Sequence, residues 1–258
     1  MSVLRLPEPA NWPAGGGRLI RLTLVMAAFF TVALFFGTRS VLRGDYLEAA
    51  VGAGLVLPGV LVIVTVQFVS RGQTTLRADH DATGTTLMPD RIFSTLGILV
   101  IAMMILVGVV FVTFTLTGHL HVFDSRRGQA AAVTGMSLAT VTAISGLITA
   151  WRRGGIGYVK LSSAGIDIAN ILRTESVTWN DVIGVDDHSK VNKKTRKAIV
   201  LELQDGTEKT IDGADFYVPN GVGLYWMVRH YWRHSGDRAE LADDRALERL
   251  REGRFDVE

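Results

Sequence analysis

The sequence predicts an α-helical membrane bundle of four transmembrane helices, followed by a small β-rich domain with a C-terminal helix. Four long stretches carry no charged side chain, and the apolar period changes to two near residue 156. Charge is also divided unevenly: residues 1–151 hold ten Arg and seven acidic residues, whereas residues 152–258 hold seventeen basic and eighteen acidic residues. The chain therefore has an apolar, charge-poor part and a charge-rich part.

The four apolar stretches have the composition of membrane spans. A helix rises about 1.5 Å per residue, so about 20 residues cross a hydrocarbon core of about 30 Å. Because lipid offers the backbone no hydrogen bonds, the spans should be helical. We expect a transmembrane domain over residues 19–151 after a cytoplasmic N-terminal segment, 1–18. The uncharged stretches are Leu22–Phe36, Ala49–Val69, Ile92–Thr117 and Ala131–Trp151.

Basic residues predict the orientation of these spans. Nine lie on one side of the predicted membrane and four on the other, and the positive-inside rule places the richer side in the cytoplasm. We therefore expect a multi-pass protein of the inner (plasma) membrane with cytoplasmic N- and C-termini. At the end of the fourth span, Trp151 precedes Arg152 and Arg153, which is typical of an interfacial anchor.

The fourth span carries a row of small residues, hereafter the small-residue face. Its members are spaced i, i+4, i+8 and i+12, so they share one side of a helix. Small residues allow close approach of two helices in a membrane. The row indicates packing inside the bundle or docking onto another membrane protein, and the spacing fits both. The four residues are Ala131, Gly135, Ala139 and Ala143.

Short alternating segments predict the β-rich domain, for which we expect bounds of 155–235. Six strands are expected, near residues 158–161, 166–168, 176–179, 181–185, 198–203 and 208–211. Asp205-Gly206 is a typical hairpin turn. Pro219 is expected to open a helix whose apolar stripe includes Leu224 and Tyr231. Residues 236–258 should form a polar helical tail that could serve as an interaction arm.

Three motifs in this region resemble the bacterial pleckstrin-homology-like (PH-like) domains that are attached to membrane helices. They are Gly165-Ile166 in LSSAGIDI, Trp179 with Asp181-Val182 in SVTWNDVIGV, and Asp205-Gly206 in IVLELQDG. The resemblance implies a curved sheet or open barrel, usually of seven strands, covered by one helix. Composition and arrangement are also similar to actinobacterial accessory subunits of Mce-type lipid importers. That resemblance implies a permease–ATPase partner and a role in lipid import.

Two groups of residues in the predicted domain are candidate contacts for lipid or a partner. Cations near an anionic leaflet add about 1 kcal/mol each in attraction, although a solvated loop that protects a sheet edge has the same composition. Aromatic residues off the apolar stripe need cover from lipid, the tail, a partner or the domain itself. The cations are Lys190, Lys193, Lys194, Arg196 and Lys197, and the aromatics are Tyr225, Trp226 and Trp232.

Several function classes are disfavoured. The chain has no cysteine, which excludes disulfides and thiolate metal sites. No phosphate-binding loop or catalytic motif is present, and a net-negative second part disfavours nucleic acid. His119, His121 and Asp124 are a weak metal signal, and a polar turn is the preferred interpretation. We therefore expect no catalytic, cofactor or metal residues.

The sequence as a whole favours a non-catalytic accessory or scaffold subunit of a larger inner-membrane complex, with a lipid-import transporter as the candidate complex. A lipid-headgroup-binding module and a small transporter or channel are the alternatives. The uncharged spans argue against proton coupling or ion conduction by this chain alone.

Overall fold

The computed structural model of the protein describes residues 6–12, 24, 28, 30–31, 34–35, 37–120, 125–171, 173–191 and 195–256. The chain divides into two compact units, each built from separate stretches of sequence. The β-rich unit comprises Met1–Gly15, Phe68–Ser94 and Arg153–Glu258. The helical unit comprises Gly16–Gln67 and Thr95–Arg152.

Three helices are long and apolar enough to cross a membrane: α1, Tyr46–Ser70; α2, Arg91–Leu116; and α3, Arg126–Arg153. They correspond to the second, third and fourth predicted spans. Residues 37–43 before α1 are also helical. The first predicted span, 22–36, lies for the most part outside the described residues.

Glycines create the close contacts within the helical unit. A Cβ placed on Gly54 of α1 would lie 2.8 Å from a methyl of Val107 on α2. A Cβ on Gly108 of α2 would lie 2.0 Å from Thr140 Oγ1 on α3. Elsewhere most side chains of these helices face outward, since only 11–18% of each apolar window is buried. A membrane or further protein must therefore cover most of the helical surface.

Two antiparallel sheets form the β-rich unit. The first has the order β1-β2-β3-β4-β5, and the second has the order β6-β7-β8. Strands β3 to β8 correspond to the six strands that the sequence predicts. The first sheet comprises β1 Arg77–Asp81, β2 Gly84–Met88, β3 Tyr158–Leu161, β4 Gly165–Ala169 and β5 Thr174–Thr178, and the second comprises β6 Val182–Asp186, β7 Ile199–Leu203 and β8 Glu208–Ile211.

Strands β1 and β2 come from the connection between α1 and α2, where no strands are predicted. They form a hairpin, and β2 pairs with β3 so that Thr85 faces Leu161 and Leu87 faces Val159. Gly84 at the turn has φ of +150°, and a Cβ there would lie 2.3 Å from the Leu161 carbonyl oxygen. The five-stranded sheet thus includes a segment outside the predicted domain bounds of 155–235.

Two helices complete the core of this unit: α4, Val222–Arg233, and α5, Asp244–Glu252. The predicted apolar stripe of α4 is buried, but the helix begins three residues after Pro219 rather than at it. The physical reason is Gly221, whose φ is +76° and whose absent Cβ would lie 2.9 Å from the Asp215 backbone nitrogen. A left-handed residue of this kind ends the preceding turn before the helix starts.

The C-terminal tail belongs to the same core. Leu241 and Leu250 are fully buried, and Thr85 Oγ1 in β2 donates to the Leu241 carbonyl at 2.7 Å. Asp243 caps the N-terminus of α5 by accepting from the Arg245 backbone N–H at 3.0 Å. The segment before α5 therefore packs on the first sheet, and α5 packs on that segment and on α4, so the tail does not extend as a separate arm.

Candidate functional site

The small-residue face of α3 remains open in the part of the chain that the structure describes. Ala131, Gly135 and Ala139 are exposed and Ala143 is half-buried. A Cβ added to Gly135 would meet no atom within 4 Å. The helix therefore presents a row of small side chains without a described neighbour, as a close-packing partner helix would require.

An adjacent side of α3 makes the contacts with α2. Thr140 lies against Gly108, and Ala132 and Met136 pack on a small buried cluster that contains Phe111. About 100° separate consecutive residues on a helix, which places these contacts beside the small-residue face rather than on it. The intramolecular packing of α3 and its open face are thus distinct surfaces.

The hydroxyl groups on α3 are compatible with apolar surroundings of the helix. Four of them donate to the carbonyl four residues earlier, at 2.8 to 2.9 Å, so their hydrogen-bonding needs are met inside the helix. These residues are Thr140, Thr142, Ser145 and Thr149.

The residues of the predicted interfacial anchor differ in their exposure and in their hydrogen bonding. Trp151 is 83% exposed and Arg152 is exposed, as contact with lipid headgroups would require. Arg153 instead donates from Nη1 to the Asn170 carbonyl in the β4–β5 turn, at 2.9 Å. Arg153 belongs to the β-rich unit, and its guanidinium is engaged by the β4–β5 turn of that unit.

Acidic neighbours neutralise much of the predicted basic cluster. Lys190 pairs with Glu202, and this hydrogen bond raises the pKa of Lys190. Lys197 Nζ lies 3.5 Å from Glu8 Oε1 and donates to the Asn220 carbonyl at 3.0 Å. Lys193 and Lys194 lie outside the described residues.

Arg196, the fifth cation, forms an ion pair that the sequence did not indicate. Its Nη2 lies 2.6 Å from Asp215 Oδ2, and the Asp215 side chain is only 2% exposed. Burial raises the pKa of Asp215, against the opposing charge of Arg196. Since Arg196 faces inward to a buried carboxylate, it is a structural cation of the β-rich unit.

A segment near the N-terminus, residues 6–12, is hereafter the N-terminal strap. Trp12 is 7% exposed and donates from Nε1 to the Ala198 carbonyl at 3.0 Å. The backbone N–H and side-chain amide of Asn11 donate to the two carboxylate oxygens of Asp187 at 2.8 and 3.0 Å. The Trp12 ring also lies 5.7 Å from Lys197 Nζ. The strap is thus bound to the β-rich unit by aromatic, polar and charged contacts.

The strap covers two of the three predicted aromatic contact residues. Trp226 is 7% exposed and donates from Nε1 to the Pro7 carbonyl at 2.9 Å. Tyr225 is 5% exposed and meets Trp12 edge to face at 5.9 Å. Trp232 is half-buried and donates to the Val182 carbonyl at 3.0 Å. All three aromatic side chains are therefore covered within the β-rich unit, and two of them contact the strap, which lies outside the predicted domain bounds of 155–235.

Of the three candidate metal ligands in the predicted outer loop, one lies within the described residues. His119 Nδ1 lies 3.0 Å from Thr117 Oγ1, whereas His121 and Asp124 lie outside the described residues. Among the residues that the structure describes, no three His, Asp or Glu side chains form a group able to hold a metal ion. No protein-family model, curated protein or solved structure matches this chain.

Proposed function

We propose that the protein is a non-catalytic accessory subunit of a larger inner-membrane assembly, which it joins through the small-residue face of α3. The observation that carries this proposal is the open row at Ala131, Gly135 and Ala139, beside a surface that already packs on α2. Association of helices in lipid depends on close backbone approach, and exposed small residues allow it. The β-rich unit would then organise cytoplasmic parts of the assembly.

The pairing of strands supports the membrane topology of this proposal. The β1–β2 hairpin precedes α2, and β3 follows α3, yet β2 and β3 belong to one sheet. Residues 77–88 and 158–211 must therefore lie on the same side of the membrane. That requirement is met if α2 and α3 each cross once.

The N-terminal strap extends the same reasoning to the first span. Trp12 bonds to Ala198, so residues 6–12 lie on the side of the β-rich unit. The chain between residues 13 and 67 must then cross an even number of times, and α1 supplies one crossing. A second crossing before α1 would meet this requirement and would give the four spans that we propose. The positive-inside rule then favours the cytoplasm as the side of the strap and the sheets.

The proposal includes a PH-like platform and a lipid-import assembly with a permease–ATPase partner. Two antiparallel sheets closed by α4 are compatible with the PH-like architecture that the motifs resemble. The import role rests on the resemblance in composition and arrangement alone. The headgroup-binding alternative is weaker, because three of its five cations already contact Glu202, Asp215 or Glu8.

Co-purification tests this proposal. A tagged full-length chain, extracted in a mild detergent, should recover other integral membrane subunits that mass spectrometry identifies. Gly135→Leu and Ala139→Leu should each lower that recovery about tenfold, which corresponds to about 1.4 kcal/mol of lost association. The matched control is Thr134→Leu, which adds bulk to an exposed position about 100° from Gly135 on the same helix.

Two results would count against the accessory role. One is recovery of the wild-type chain alone, at the size of a monomer. The other is unchanged partner recovery in both leucine variants, which would mean that a different surface docks.

A further inference from the structure

An apolar groove runs along the helical unit on its predicted outer side. It lies between five positions from Phe30 to Val41 and five positions from Ala49 to Val60, and its volume is about 650 Å³. Each side follows the spacing i, i+4, i+7, i+8, i+11, so each presents one helical stripe. The turn at Gly44, where φ is +86°, joins the two sides.

The part of the lining that the structure describes has no hydrogen-bonding side chain directed to a ligand. Thr38 is the polar residue among the lining positions, and its Oγ1 donates to the carbonyls of Leu34 and Phe35 in its own helix. Hydrocarbon is therefore the chemical class that fits, because a polar ligand would lose its hydrogen bonds to water.

The length of the groove suits extended acyl chains. The α1 side extends over eleven residue steps, about 16 Å at 1.5 Å per residue. With a volume of about 650 Å³ over that length, the groove has room for extended acyl chains lying along the two stripes.

The charges at the turn indicate the headgroup. Arg39 and Arg43 are exposed there, and Asp45 is exposed beside them. Glu48 follows, accepting from Ser40 Oγ at 3.3 Å. Guanidinium groups bind phosphate, and carboxylates bind an ammonium group. Two charges of each sign therefore match a zwitterionic headgroup better than a purely anionic one.

We propose that this groove binds a zwitterionic phospholipid, with its acyl chains between the two stripes and its headgroup at the Gly44 turn. Arg39 and Arg43 contact the phosphate, and Asp45 contacts the ammonium group. The site is independent of partner docking at α3, so either proposal can fail without the other.

Native mass spectrometry of the full-length chain tests the site, with dioleoyl-phosphatidylethanolamine and dioleoyl-phosphatidylglycerol as probes. We expect one phosphatidylethanolamine to survive detergent exchange and to be retained better than phosphatidylglycerol. Ala53→Trp, which fills the groove, should lower retention at least about tenfold. The control Val62→Trp, on the opposite side of α1, should retain the lipid as the wild type does.

A second variant avoids bulk in the helices. Asp45→Asn with Glu48→Gln removes the carboxylates that match the ammonium group of phosphatidylethanolamine, so this variant should abolish the preference between the two headgroups. Equal retention of both lipids by the wild type would overturn the proposal. Undiminished retention in Ala53→Trp would also overturn it. Equal loss of lipid in Ala53→Trp and Val62→Trp would do the same, because that result would indicate general lipid contact rather than a site in the groove.

Discussion

Replacing Trp12 by alanine should release the N-terminal strap from the β-rich unit. The side chain is 7% exposed, contacts Tyr225 and donates to the Ala198 carbonyl. A buried tryptophan removes about 200 Å² from water. At about 25 cal/mol per Å² this contributes about 5 kcal/mol, an upper bound because unfolded chains already bury some surface. We therefore expect Trp12→Ala to weaken strap binding by about 3–5 kcal/mol.

Hydrogen exchange of the full-length chain in lipid nanodiscs measures this effect directly. A loss of about 3–5 kcal/mol increases the population of the open strap by about two to three and a half orders of magnitude, with a matching increase in the exchange of amides in residues 6–12. Trp12→Phe retains the ring contact but loses the bond from Nε1, so about 1–2 kcal/mol should be lost. Trp151→Ala is the matched control, because that tryptophan is 83% exposed. Exchange in Trp12→Ala within threefold of the wild type would show that Trp12 does not hold the strap.

Two further perturbations test the interior of each unit. Arg196→Met leaves the Asp215 carboxylate buried and unpaired, which should cost about 3 kcal/mol of unfolding free energy in chemical denaturation. Because burial raises the pKa of Asp215, the contribution of Asp215 to wild-type stability should fall as pH increases from the ordinary Asp range through that raised pKa. The stability difference between Asp215→Asn and the wild type should therefore change with pH in this range, and parallel pH profiles would contradict the prediction. Gly108→Ala should cost about 1–3 kcal/mol in thermal unfolding, since its Cβ would lie 2.0 Å from Thr140 Oγ1. Adding Thr140→Ala should restore most of that loss, and no recovery would mean that the two helices are not in contact there.

Local patterns account for the parts of the fold that the sequence predicts. Strands β3 to β8 are short segments that each contain β-branched residues, and Asp205-Gly206 turns β7 into β8. The three long apolar helices are evident from the sequence because an uncharged run of about 20 apolar residues is long enough to span a bilayer. In each case the physical cause acts over a few neighbouring residues.

Features that depend on distant partners could not be predicted. The β1 strand, RADHD, is mostly polar, and its hairpin pairs with a strand more than 70 residues later. Trp12 bonds to a carbonyl 186 residues away. The cluster from Lys190 to Lys197 is visible as charge, but the positions of Glu202 and Asp215 decide how much of it is free to act.

The proposed topology puts the strap, the hairpin and both sheets on one side of the membrane, with the intervening turns on the other. Because the chain has no cysteine, single-cysteine variants can be labelled with an impermeant maleimide. Cysteines at Ala10, Ala82 and Asp205 should react only after permeabilisation of the cells, whereas those at Arg43 and Ser125 should react in intact cells. Labelling of Ala82 and Asp205 from opposite sides would rule out this topology.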